Sequence, residues 1–530
     1  MKAPVRTACL GLLLAFGLCG PVAMAQPAAP LRTESGLVTG TPGADPAVHV
    51  YRGIPYAAPP VGPLRWQPPE PPVAWTGVRA ADRFAPGCPQ PLPRSRLPWT
   101  EPFMHQGPVD EDCLYLNVWT AAADSSERRP VLVYIHGGGF TEGSGSVPLY
   151  DGEALARKGL VVVTFNYRLG VLGFLAHPAL TAASKHRASG NYGLLDQVAA
   201  LRWVQRNIAA FGGDPGNVTI AGQSAGAMSV YLLTASPLAG GLFHRAIVQS
   251  GPGALAAFGI ATTRELARPL AEAERQGELF AGARGAETLQ ALREMPVETL
   301  LAPTEGDPPG RFGPVVDGWF LPENPADLYA RGQQHDVPLL MGMNADEPSA
   351  FPGYGRMTAG AFREQARTRY GDRAEDFLAL YPAATDEEAG LAQKHSTRDM
   401  ALAAMRRVAD ERAATSRTPA YLYLFERAIP WPEHPEYGAF HSAELPYVFD
   451  NLRLLGRPWE PLDRHLAGLM SSYWARFAAT GDPAAPVRGA EDLPAWPAYD
   501  PSAGVLMVFG EATGPRVLPG EAARRFFGLQ

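Results

Sequence analysis

Ser224, set in Gly222-Gln223-Ser224-Ala225-Gly226, carries the sharpest chemical signal in the chain. A hydroxyl becomes a nucleophile when a base takes its proton and fixed dipoles accept the charge left on the attacked carbonyl. Small residues on both sides permit a sharp turn that raises the serine above its neighbours. A helix opened by that turn aims its first N–H groups at developing negative charge. A second signal lies upstream, in His136-Gly137-Gly138-Gly139-Phe140. Glycines let backbone N–H groups approach an oxyanion with no Cβ in the way. Gly138, Gly139 and the N–H of Ala225 are the expected oxyanion donors. Taken alone, each motif also reads as a chance glycine turn, so the flanking elements must decide.

Those elements agree with the chemical reading. Val218–Ala221 is an apolar run directly before the serine motif, and a helix is expected from Ala225 to Leu233 after it. Val131–Ile135 ends where the glycine run begins. Further apolar runs occupy Leu160–Phe165, Ala246–Val248, Val337–Met343 and Tyr421–Phe425. Continuous rather than alternating apolarity predicts parallel strands covered on both faces. Between them, Gly193–Phe211 repeats apolar residues at helical spacing and ends at Gly212-Gly213, with Asp214-Pro215 blocking continuation. Alternating strands and helices predict an α/β fold with a mostly parallel central sheet and helices on both faces. Residues 254–301 break the strand rhythm with a helical composition, expected to form a cap region. The Pro-rich stretch after Gly53 is interleaved with Tyr56, Leu64, Trp66 and Trp75, and reads as a loop packed on the core.

The chain resembles the type-B carboxylesterase and cholinesterase family of α/β-hydrolases. Phe211 through Gly226 matches that family's serine motif, and Glu111-Asp112-Cys113-Leu114-Tyr115-Leu116-Asn117-Val118 its second motif, with Ala121 where proline is more usual. Tyr51–Ala57 and Asn166–Gly170 are also similar. The resemblance runs from about Val38 to the C-terminus and implies one catalytic domain over 26–530 with the α/β-hydrolase fold. In this fold the order along the chain is serine, acid, histidine. The residues alone leave Asp346 and Glu347 open as the acid after the strand ending near Met343. The resemblance implies Glu347, although Pro348 replaces the family's usual glycine. Of His395, His434, His441 and His465, the segment Gly438–Phe449 resembles the family's histidine segment and makes His441 the base. Ser250 matches a family position near these three and is expected to support them with a hydrogen bond. The implied activity is serine carboxylesterase chemistry on small neutral esters, with no cofactor and no metal. Gln223 is neutral where cholinesterases carry an acid, which disfavours cationic substrates. An amidase or lactonase on the same machinery, or a catalytically idle binding protein, are the alternative readings.

Composition bounds the partners. Net charge is -7 with acids and bases mixed, and no basic stripe points to nucleic acid. The N-terminus reads as a secretory signal over 1–25. Lys2 and Arg6 precede a short apolar run, and Ala23-Met24-Ala25 forms the cleavage site, favoured over lipidation at Cys19. No run is long enough to span a membrane. A secreted or periplasmic location follows, and with Cys9 and Cys19 removed the remaining pair predicts a Cys88–Cys113 disulfide. Asn217-Val218-Thr219 is a glycosylation sequon that leads into a strand and is read as chance.

Overall fold

The apolar runs of the sequence become the strands of one large sheet. The computed structural model describes residues 1, 29–92, 95–259, 263–308, 310, 312–487 and 492–528. The expected secretory segment, beyond Met1, lies outside them. Eleven strands form one sheet: β1 (Thr41–Pro42), β2 (His49–Pro55), β3 (Tyr115–Thr120), β4 (Arg129–Ile135), β5 (Val161–Phe165), β6 (Gly213–Gln223), β7 (Arg245–Gln249), β8 (Leu339–Asn344), β9 (Ala420–Phe425), β10 (Val505–Phe509) and β11 (Gly514–Val517). Their spatial order is β1-β2-β3-β5-β4-β6-β7-β8-β9-β10-β11. From β5 to β10 every pairing is parallel, and the edges are antiparallel. β5, β8 and β9 are buried at every position, which is the burial that continuous apolarity requires.

Helices cover the sheet. α1 (Tyr192–Asn207) continues as a 3-10 turn, Ile208–Phe211, and stops at Gly212, whose φ of 76° is the left-handed cap. α2 (Ala225–Ala235) follows Ser224 and is buried along nearly its whole length. α3 (Asp386–Thr415) starts with a capping box between Thr385 and Glu388. α4 (Pro461–Thr480) lies against β6, where Thr219 Oγ1 donates to Ala478 O at 3.1 Å. The aromatics of the Pro-rich stretch pack as expected. Trp66 is buried and donates to Val171 O at 2.9 Å, and the Tyr56 hydroxyl donates to Asn166 O at 2.6 Å.

The segment of helical composition expected to form a cap region is made of separate short pieces. Helices run over Leu270–Ala283, Leu289–Glu294 and Val297–Leu301, but Arg268–Pro269 pairs as a short strand with Val315–Val316. Pro269 explains this, because it lacks an N–H and biases Arg268 towards extended backbone. The Cys88–Cys113 disulfide is present, with both residues buried. Asn217 donates from Nδ2 to Ala479 O at 3.2 Å and accepts from Arg245, so its amide is committed internally.

Candidate active site

Ser224 is the single residue between β6 and α2. Its φ of 59° and ψ of -123° lie where an L side chain sits only under constraint. The Ser224 N–H donates to Gln249 O at 2.9 Å, and Met228 N–H donates to Ser224 O at 2.9 Å, which pins the turn from both sides. The flanking glycines answer a need for space. A Cβ on Gly222 would lie 2.5 Å from the carbonyl carbon of Gly226, and one on Gly226 would lie 2.0 Å from Ile135 O. The serine motif is therefore the contact between α2 and the ends of β4 and β6.

The glycine run leaves β4 with Gly138, Gly139 and Phe140 all at positive φ, at 104°, 61° and 61°. A Cβ on Gly138 would meet Glu142 O at 2.0 Å. The N–H groups of Thr141 and Glu142 hold Gly138 O at 3.0 and 3.1 Å, and Tyr167 Oη–H holds His136 O at 2.9 Å. The His136 ring stacks on Tyr167, and burial pushes it down to about 4, so it stays neutral. The N–H groups of Gly138, Gly139 and Ala225 make no hydrogen bond among the described residues, and these residues line one cavity with Ser224. Unpaired backbone donors are costly unless something fills them. Three around one cavity suit an anion formed transiently there.

The histidine comes from the loop after β9, and the acid from the end of β8. His441 Nδ1 is 2.5 Å from Glu347 Oε2. The carboxylate only accepts, so Nδ1 carries the proton and Nε2 presents a lone pair. Glu347 is buried, and its other oxygen accepts the Asn344 N–H at 2.9 Å. Asp346 points elsewhere. Its Oδ2 accepts the Ala439 N–H at 3.1 Å, and its own N–H donates to Ala439 O at 3.0 Å. It clamps the histidine loop and does not reach the ring. His441 Nε2 lies 3.2 Å from Gln223 Nε2, whose amide donates to it in this resting arrangement, and no hydrogen bond joins it to the Ser224 hydroxyl. Ser224 and His441 nevertheless line the same cavity. Such a bond commonly forms only once substrate is in place.

Ser250 departs from expectation. Its hydroxyl is enclosed at 0 % exposure with no hydrogen-bond partner among the described residues, while Glu347 is served by His441 and Asn344. The supporting bond is not made. Other groups around the site have no assigned role in the sequence motifs. Trp99 Nε1–H donates to His441 O at 3.1 Å and Ser442 Oγ at 3.3 Å, from within the loop closed by the disulfide. Phe258 stands edge-on to the His441 ring at 5.1 Å. Glu444 is buried beside Asn344 and Gln249. An acid three residues after the histidine was visible, but nothing in the chain order says that it turns inwards. The cavity has a volume of about 640 Å³ and largely apolar walls that include Trp99, Phe103, Met228, Leu255, Leu266 and Phe351.

Comparison with known proteins matches this architecture. The model of the carboxylesterase family matches residues 27–516. A fumonisin B1 esterase from Sphingopyxis macrogoltabida is 40% identical over 498 residues, covering 91% of this chain and 86% of that protein. The para-nitrobenzyl esterase of Bacillus subtilis is 38% identical over 487 residues, covering 88% of this chain and 92% of that protein. A crystal structure of a Geobacillus stearothermophilus carboxylesterase superposes with a TM-score of 0.77 at 37% identity, covering 94% of this chain and 100% of that one. With the α/β-hydrolase fold, the elbow serine and these relatives in agreement, the chain belongs to the carboxylesterase family.

Proposed function

We propose that this carboxylic-ester hydrolase forms an acyl-enzyme on Ser224, with His441 as base, Glu347 as its orienting acid and the N–H groups of Gly138, Gly139 and Ala225 as the oxyanion hole. The observation that carries the reading is one cavity lined by a strained serine, three unpaired backbone donors and a histidine whose far nitrogen is tied to a buried carboxylate. Ser224 Oγ adds to the ester carbonyl carbon as His441 Nε2 takes its proton. The oxyanion meets the three N–H groups. The C–O bond to the alcohol breaks, and the alcohol leaves with the proton from Nε2. Water then adds by the same route and releases the acid and Ser224. The cavity is within the range that holds drug-sized ligands, and its apolar walls favour neutral esters with a bulky apolar portion. We place this chemistry in one domain over 26–530, secreted or periplasmic after removal of 1–25, with small-molecule esters rather than nucleic acid as partners. The internal disulfide supports an oxidising compartment, and no helix among the described residues is long and apolar enough to cross a membrane.

Ser224→Ala should abolish turnover and fluorophosphonate labelling while leaving the melting profile intact. A pure variant that keeps more than a trace of hydrolysis sinks the assignment.

A further inference from the structure

We propose that Glu444 is a positioning residue for the hydrolysis: a second buried carboxylate, joined through Asn344 to the Glu347–His441 pair, whose negative charge supports the imidazolium formed on serine attack. This rests on the reading of Ser224, Glu347 and His441 given above.

Glu444 is at 0 % exposure, three residues after the base. Its Oε2 accepts from Asn344 Nδ2 at 2.6 Å, and its Oε1 from Gln249 Nε2 at 3.1 Å. Asn344 is the last residue of β8. Its backbone N–H holds Glu347 at 2.9 Å, and its Nδ2 also holds Phe440 O at 2.8 Å, next to His441. Gln249 is the last residue of β7, and its carbonyl receives the Ser224 N–H. Glu444 thus bonds the ends of the two strands that hold the acid and pin the nucleophile.

The partners require an acceptor on both oxygens. Asn344 Nδ2 and Gln249 Nε2 are both donors, whereas a protonated carboxyl or a primary amide would turn a donor against one of them. A buried carboxylate also needs a cation or pays for its isolation. The titratable groups that act on it are Glu347 and His441 on the flanking loops, Tyr134 on β4, Tyr423 on β9, and Tyr150. None is a lysine or arginine. Burial pushes the Glu444 carboxyl up to about 7, with the Glu347 charge adding to the rise and the Asn344 bond opposing it. At neutral pH the carboxyl is therefore about half ionised and becomes more so above it, and His441 is the group able to become its cation.

The test compares wild type, Glu444→Gln and the double variant Glu444→Gln/Gln249→Glu. In the double variant the 444 amide oxygen faces Asn344 and its NH₂ faces the new carboxylate. Donors and acceptors match again, while the charge has moved off Asn344. Glu444→Gln should lower kcat by about tenfold or more, leave KM within about twofold, and move the acid limb of kcat/KM to lower pH. The double variant should recover the wild-type melting temperature while its acid limb stays displaced. If Glu444→Gln does not fold, the double variant alone decides on the same limb. An acid limb that coincides with wild type in whichever of these variants folds overturns the proposal, because a purely structural Glu444 would affect stability alone. Ser224→Ala abolishes turnover whatever Glu444 does, so failure here leaves the nucleophile assignment standing.

Discussion

Replacing Glu347 by glutamine isolates what the acid does for the base. Both partners of Glu347 are donors: the Asn344 N–H on Oε1 at 2.9 Å and the His441 Nδ1–H on Oε2 at 2.5 Å. A glutamine has one oxygen to accept with and one NH₂ that can only donate. The Asn344 N–H belongs to the end of β8 and cannot turn away, so the amide oxygen settles there. The reverse orientation would leave a buried donor unpaired, at about 1–3 kcal/mol. The NH₂ then faces Nδ1, and the imidazole responds by carrying its proton on Nε2. That tautomer cannot accept the Ser224 proton. Loss of the correct tautomer in a serine triad lowers kcat by about 10⁴, or ~5.5 kcal/mol. KM should change little, since Glu347 itself does not line the cavity. The assay is steady-state hydrolysis of a p-nitrophenyl ester by wild type and variant, with thermal melting to show that both are folded. Asp346→Asn is the control. It keeps an oxygen for the Ala439 N–H and should lose less than about tenfold. A loss under about tenfold for Glu347→Gln, or a crippling one for Asp346→Asn, would refute the reasoning.

With Gln223 neutral at 3.2 Å from His441, wild type should prefer an uncharged ester to butyrylcholine in kcat/KM. Gln223→Glu should favour the cation by about 2 kcal/mol, roughly thirtyfold, for a carboxylate some 5 Å from the ammonium; no change in the ratio removes Gln223 from the specificity argument. Cys88→Ser/Cys113→Ser should lower unfolding free energy by about 3 kcal/mol for a sequence separation of 25, read from urea titrations, and an unchanged midpoint would contradict this. Glu444 binds its proton more tightly folded than unfolded, at about 7 against 4.5. Its contribution therefore falls as pH rises from 4.5 to 7, by about 3 kcal/mol in full. His136, held down at about 4 from 6.5, works in the opposite direction below pH 6.5. The Glu444 effect should accordingly appear as a difference between the stability–pH curves of wild type and Glu444→Gln, and parallel curves would exclude it.

The scaffold was legible because its signals are local. Val131–Ile135, Val218–Ala221 and Tyr421–Phe425 each lie within an observed strand, since a doubly covered strand is apolar at consecutive positions. The elbow was legible for the same reason: Gly222, Ser224 and Gly226 meet within one turn. What escaped depends on residues far apart in the chain. Trp99 reaches His441 across 342 positions, and Glu444 reaches Gln249 across 195. No periodicity encodes such meetings. Ser250 shows the converse. It directly follows Gln249, whose carbonyl receives the Ser224 N–H, but which way a buried hydroxyl points is settled by packing, and here it finds no partner among the described residues. The strand at Arg268–Pro269 was a local signal passed over, because a helical composition outweighed one proline.

The bond between Cys88 and Cys113 closes the segment between them into a loop with its own covalent base. Trp99, Phe103, Met104 and His105 all come from it to form one wall of the cavity, while none of the sheet does. Asn166 ties its base as well, donating to Cys113 O and Pro86 O at 3.0 Å. Exchange of this one segment would rewrite the wall without altering a strand of the sheet, provided the replacement keeps the bonds of Gln90 to Gly143 and of Trp99 to His441 O. A peptide bond cut anywhere inside it leaves two polypeptides still joined by sulfur, which part only on reduction and unfolding.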